Sequence, residues 1–195
     1  MNTKDTRHSL IEKQISSEKV FSGTLLHVYK DQAELPDGSS SVREWIDHPG
    51  ASAVLPVFES GEVQLVRQFR YPLQEVFTEV PAGKIDPGED PLVTAKRELE
   101  EEAGVRAKNW TSLGKFHPCI GYTNEIIHLY LAWGLETFDN HVDEDEFLHP
   151  VRMPFQEALN GVVNGEITDG KTITAIMRAA SWWKTNHPFP LDLKL

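Results

Sequence analysis

The sequence predicts an α+β fold with an antiparallel β-sheet extension at its N-terminal end, and three observations carry that expectation. Residues from about 15 to 50 read as short β-rich stretches separated by turn residues. From Ala51 onward, strand-like apolar runs and amphipathic helical runs follow one another. Between them, Asp90-Pro91 has the form of a helix start, with a capping side chain followed by proline where its missing N–H costs nothing, and Gly104 has the form of a helix stop. At 195 residues the chain accommodates one large domain or one domain with an appendage. The expected division is a strand extension over residues 1–50 and a core domain over 51–195.

In order, Val20 to Phe21 and Leu25 to Tyr29 are β-rich, Leu35-Pro-Asp-Gly-Ser is a turn, and Val42 to Ile46 returns. A three-strand sheet of this kind buries little surface and needs a partner. Ala53 to Phe58 and Val63 to Phe69 read as a hairpin around Glu59-Ser60-Gly61, and Pro81-Ala82-Gly83 with Asp86-Pro87-Gly88 reads as a tight loop. The helix from Pro91 lays Leu92, Ala95, Leu99 and Ala103 on a sheet. Ile126 to Trp133 is a nearly continuous apolar run, the mark of a buried strand. Leu148 to Met153 is strand-like, Phe155 to Val163 and Thr172 to Lys184 read as helices, and the proline-containing tail from His187 reads as irregular.

Composition narrows the function. A net charge of −11 argues against nucleic acid as a partner, and an acidic protein acting on phosphates needs metals or a few placed arginines. One cysteine, Cys119, permits no intramolecular disulfide and fits a reducing, cytoplasmic setting. No signal-peptide pattern opens the chain and no run approaches a membrane span.

Chemistry concentrates between Gly83 and Val105, which runs Gly83-KIDPG-Glu89-DPLVTAK-Arg97-Glu98-Leu99-Glu100-Glu101-Glu102-Ala103-Gly104-Val105. Glu98 and Glu102 are four apart on a helix and share a face, where like charges destabilise a bare helix. Glu101 crowds the same side. A divalent cation removes the conflict, and hard oxygen ligands suit Mg²⁺ or Mn²⁺. Arg97 is placed to pair with Glu101, four residues on, while Glu100 reads as solvent-facing.

This stretch resembles the signature of the Nudix hydrolases. The resemblance implies an α/β/α sandwich and Mg²⁺-dependent cleavage of a nucleoside diphosphate linked to another moiety. It implies metal ligation by Glu98, Glu102 and the Ala82 backbone carbonyl, with Glu101 as a further candidate ligand. Val66-Arg-Gln-Phe-Arg70-Tyr71, Glu79-Val-Pro-Ala-Gly83, His48-Pro-Gly50 and Gly165-Glu-Ile-x-Asp169-Gly-Lys-Thr172 are similar to the ADP-ribose and nucleoside-diphosphate-sugar branch. For that branch the resemblance implies a homodimer with exchanged N-terminal strands, Arg70 on the substrate diphosphate, Gly83 at the substrate, and a loop glutamate as general base. In the acidic run His141 to Phe147 the matching positions are Glu144 and Glu146, with Glu101 next. Among the aromatics of the N-terminal strands, Phe21, Tyr29 and Trp45, Trp45 is the candidate platform for the nucleotide base. One departure stands out: Ile120 replaces a proline expected before Gly121. That leaves room for other diphosphate sugars. Because the motif reads only metal and diphosphate, GDP-mannose and dinucleoside polyphosphates are alternative substrates, with a non-catalytic nucleotide-sensing module as the rival from another class.

Overall fold

A computed structural model describes residues 10–138, 147–186 and 188–194. They form two compact units, one running to His48 and joined by Cys119–Glu125, the other comprising Pro49–Pro118 and the chain from Ile126 onward.

The first unit is an antiparallel meander of β1 (Lys13–Ser22), β2 (His27–Glu34) and β3 (Ser40–Asp47), in that order. The β2–β3 turn forms where Pro-Asp-Gly requires it. Gly38 takes φ 86°, and Asp37 Oδ1 accepts the Ser39 N–H at 2.9 Å, as an Asp side chain does in a turn. Leu25 and Leu26 are not strand residues: the Gly23 N–H bonds the Leu26 carbonyl at 2.9 Å, so both lie in the β1–β2 connection. β1 is longer than Val20–Phe21 and exposed along its whole length. It is held by backbone pairing to β2, which its polar sequence conceals. Within the sheet the Tyr29 and Trp45 rings stack at 4.9 Å, and Asp31 Oδ2 accepts from Trp45 Nε1 (2.9 Å) and Gln14 Nε2 (2.8 Å). Tyr122 and Asn124 bond the β3 backbone at Ile46.

The second unit is built on a sheet ordered β10–β5–β4–β9–β8. Its members are β4 (Ala51–Val57), β5 (Glu62–Arg70), β8 (Val105–Phe116), β9 (Ile127–Thr137) and β10 (Leu148–Pro154). Two short strands complete it, β6 (Glu75–Glu79) beside β5 and β7 (Ala82–Lys84) beside β4. The expected Ala53–Phe69 hairpin is paired only at Val57 and Val63. Beyond that point β4 runs parallel to β9, while β5 pairs with β6 and β10. Residues 82–84, expected in a loop, pair with Ala51–Ala53.

Three helices, α1 (Pro91–Ala103), α2 (Phe155–Asn164) and α3 (Gly170–Asn186), cover the sheet. Residues alternate across the pleat. Ala53, Leu55 and Val57 of β4 join Leu129, Leu131, Phe155, Ile176 and Trp183 in one cluster. Val54 and Ala132 face Leu99 and Ala103 of α1 in another. Helices on both faces make this the expected α/β/α sandwich. No helix among the described residues is long and apolar enough to cross a membrane.

Candidate active site

α1 forms as its caps dictate. Asp90 is extended, with its Oδ1 accepting the Leu92 N–H at 2.8 Å. Pro91 begins the helix, and Gly104 ends it in the left-handed region at φ 62°. Ser52 Oγ donates to the Pro91 carbonyl at 2.7 Å, fastening the first turn to β4. The face turned to the sheet buries Ala95 and Leu99 but also the carboxylates Glu98 and Glu102.

Those two carboxylates meet β7. The Ala82 N–H donates to Glu102 Oε2 at 2.8 Å. A Cβ on Gly83 would stand 1.8 Å from Glu98 Oε1, so glycine at 83 gives clearance to a carboxylate. That is a requirement on position 83 separate from any contact with substrate. Arg97 Nη1 donates to Glu98 Oε1 (2.7 Å) and to Glu101 Oε2 (2.9 Å), the expected i,i+4 pair. Its Nε and Nη2 reach the Glu89 carboxylate at 3.4 Å, and Nη2 also reaches the Lys84 carbonyl at 3.3 Å. Burial works against its charge, but the Glu89, Glu98 and Glu101 carboxylates outweigh it and hold the guanidinium firmly protonated. Glu89 is held below the usual carboxylate range by the Thr94 hydroxyl (2.7 Å) and then by Arg97. Glu89 occupies a fixed place in the Gly83–Val105 pattern, yet its task, clamping the arginine that clamps Glu98 and Glu101, is visible only in three dimensions. Glu100 turns away and pairs with Arg106 at 2.8 Å.

Among the described residues no three His, Cys, Asp or Glu side chains converge as a ready-made metal cage. Two carboxylates suffice for Mg²⁺, which typically keeps waters and completes its shell with substrate phosphate oxygens. Buried oxygen donors at 98 and 102 and a glycine cradle at 83 fit a hard divalent cation. The residues that would hold one are Glu98 and Glu102, with Ala82 through its carbonyl as the resemblance implies. Glu101 is half exposed and engaged by Arg97.

Arg70, at the end of β5, makes a two-pronged pair with Glu79: Nε to Oε1 at 2.7 Å and Nη2 to Oε2 at 2.6 Å. Trp45 lies in the first unit, its indole stacked and hydrogen-bonded inside that sheet. Glu144 and Glu146 lie outside the described residues. Three residues to which sequence reasoning gave no role join Arg70 around one cavity, Glu79, Asp169 and Lys171, and a fourth, the buried Thr172, bonds Asp169. Their signal was present in the Glu79-Val-Pro-Ala and Asp169-Gly-Lys-Thr segments, but nothing local says that the two meet.

Known proteins share this fold. A chain described as an ADP compounds hydrolase superposes with a TM-score of 0.80 at 24% identity, over 91% of this chain and 97% of its own, a likeness of fold. The ADP-ribose pyrophosphatase of Bacillus subtilis (strain 168) is 44% identical over 170 residues, 86% of this chain and 92% of its own. The methanol dehydrogenase activator of Bacillus methanolicus is 42% identical over 167 residues, covering 85% and 90%. With residues 47–178 matching the NUDIX domain as well, the chain belongs to the NUDIX family.

Proposed function

We propose that this protein hydrolyses the diphosphate bond of ADP-ribose and related nucleoside diphosphate sugars, releasing a nucleoside monophosphate and a sugar phosphate. The observation that carries the reading is the buried Glu98–Glu102 pair, seated against Ala82 and Gly83, in a chain so similar to an ADP-ribose pyrophosphatase. Mg²⁺, with Mn²⁺ as a substitute, is the proposed cofactor. When bound it neutralises phosphate charge and acidifies a coordinated water.

The chain supplies the rest. Glu98 and Glu102 provide hard oxygen ligands, and Arg97 fixes Glu98 and Glu101 in orientation. Arg70 presents a planar cation to the diphosphate oxygens, a geometry suited to phosphate. A loop glutamate, Glu144 first, then Glu146, with Glu101 as the in-motif alternative, takes the proton from the attacking water. The water's oxygen bonds to one phosphorus, the P–O–P bridge breaks there, and the bridging oxygen leaves with the other phosphate. That phosphate is a good leaving group and needs no protein acid.

The working form is proposed to be a cytoplasmic homodimer. Residues 1–50 serve as the dimerisation extension, exchanged between subunits, and Trp45 as the base platform. Exposed Ile11, Ile15, Val20 and Phe21 along and beside β1 support a covering partner. The test of function is phosphate release, after phosphatase treatment, across ADP-ribose, GDP-mannose and diadenosine polyphosphates with Mg²⁺ or Mn²⁺. ADP-ribose is expected to give the highest kcat/KM, with AMP as product. A tenfold preference for GDP-mannose or a dinucleoside polyphosphate would replace the assignment, and inactivity on all of them would remove it.

A further inference from the structure

Glu79 ends β6 and is 2% exposed, yet it plays no part in the chemistry above. It accepts two bonds from Arg70, at 2.7 and 2.6 Å, and a third from Lys171 Nζ. The last two converge on the same oxygen, Oε2. A buried carboxylate pays for its desolvation only when paired and hydrogen-bonded. Here burial pushes the carboxyl upward, and the Arg70 and Lys171 bonds more than reverse it, leaving Glu79 below the ordinary range.

Lys171 is held from the other side by Asp169 Oδ2 at 3.0 Å. Asp169 also accepts the Thr172 N–H (3.0 Å) and hydroxyl (2.6 Å), and so caps the start of α3. The Thr172 hydroxyl oxygen in turn accepts the Val80 N–H at 2.9 Å. From Glu79 to Ala82 the chain is thus fixed at three points: to Arg70 and Lys171, to Thr172, and to Glu102 through the Ala82 N–H. Arg70, Glu79, Asp169 and Lys171 border a cavity of about 350 Å³ that Leu73 and Phe77 also line. That is a volume at the lower end for small-molecule sites.

We propose that Glu79 is a positioning residue for substrate binding. It holds Arg70 and Lys171 side by side at this cavity as a paired cation for the phosphate oxygens of the diphosphate, at a spacing from the metal-ligand cluster fixed by residues 79–82. Lys171 is thereby a substrate-binding residue. The inference rests on the reading of the protein as a diphosphate hydrolase. Two cations sharing one carboxylate oxygen do not repel each other apart. Of the five guanidinium and three ammonium N–H donors, these ion pairs engage two on each side chain. With Asp169 the cluster is formally neutral, so its work is to orient and not to attract from a distance.

A double-mutant cycle tests this. Glu79→Gln keeps the shape and removes the charge. It is expected to lower kcat/KM for ADP-ribose at least tenfold, mostly through KM, and to weaken metal-free ADP binding by calorimetry by a similar factor. In an Arg70→Ala background the same change is expected to cost less, the remaining effect being its hold on Lys171. Equal factors in both backgrounds would show that Glu79 does not act through Arg70 and would overturn the proposal. If Glu79→Gln does not fold by circular dichroism, Lys171→Met decides: a tenfold rise in KM supports the clamp, and an unchanged KM sinks it. A wild-type protein inactive on every diphosphate sugar, yet losing ADP binding in Glu79→Gln, would refute the hydrolase reading and leave the clamp standing. An active wild type with Glu79→Gln unchanged would do the reverse.

Discussion

Gly83→Ala is the sharpest probe of the acid cluster, because its effects on stability and activity separate. An ideal Cβ at 83 falls 1.8 Å from Glu98 Oε1, 2.1 Å from its Cδ and 2.6 Å from Oε2. Ordinary carbon–oxygen contact begins at about 3.4 Å, so the carboxylate must retreat by about 1.5 Å. The backbone offers no objection, since Gly83 is not among the glycines at positive φ. The carboxylate is the end of a flexible side chain and can rotate away. Its bond to Arg97 is charge-assisted and worth about 1.5–3 kcal/mol when broken. Arg97 keeps Glu89 and Glu101, however, and the loss is offset by about 0.4–1 kcal/mol from reduced freedom of the unfolded chain. Net stability should fall by about 1–2 kcal/mol, leaving a folded protein. Catalysis tolerates far less: ligand distances hold to about 0.2 Å, and a 1 Å misplacement can cost about 100-fold. The expected result is a drop in kcat/KM of about 100-fold or more, with a thermal midpoint a few degrees lower and a raised Mg²⁺ requirement. Turnover within threefold of wild type at saturating Mg²⁺ would refute the reasoning, because Glu98 would then have moved without consequence.

Three further outcomes are expected. Glu102→Gln removes one ligand charge while its amide oxygen still accepts the Ala82 N–H, so turnover should fall by several orders of magnitude in a folded protein; a retained rate above one tenth of wild type contradicts the assignment. Glu144→Gln should lower kcat more than it raises KM, as loss of a base does; if it and Glu146→Gln both leave kcat unchanged, the base lies in the motif, with Glu101 next. Deleting the first 45 or so residues should give monomers or aggregates with weakened substrate binding, although Glu98 and Glu102 remain. Light scattering that finds a fully active full-length monomer at micromolar concentration would end the dimer proposal.

What could be read from the sequence was what local chemistry determines. α1 is specified by residues within one turn of its ends, and Asp90, Pro91 and Gly104 act there as their side chains and φ preferences require. The Glu98–Glu102 spacing places two carboxylates on one face whatever the sheet does. Strands at the edges were harder. β8 alternates too weakly to announce itself, and β1 is exposed throughout, so backbone pairing and not burial defines them. The Glu59-Ser60-Gly61 turn was legible, but the parallel pairing of β4 with β9, more than seventy residues downstream, follows from no local signal.

The same distinction explains the site. Arg97 and its i,i+4 partner Glu101 are encoded in helical geometry and were found there. Glu79 and Lys171 stand 92 positions apart and meet only because β6 lies beside β5 and α3 begins against it. Each looks unremarkable alone, a glutamate in a short strand and a lysine in a helix's first turn, where a cation gains nothing from the helix dipole. That unfavourable position is itself informative. Lys171 sits at the positive end of α3, mostly buried, and Glu79 and Asp169 are the counter-charges that make the placement tolerable. A buried cation kept at a helix N-terminus by two carboxylates is costly if its task is only structural, because apolar residues of similar volume often replace such clusters without loss. The cost is intelligible if the cation is needed at that cavity, beside Arg70, when a diphosphate arrives.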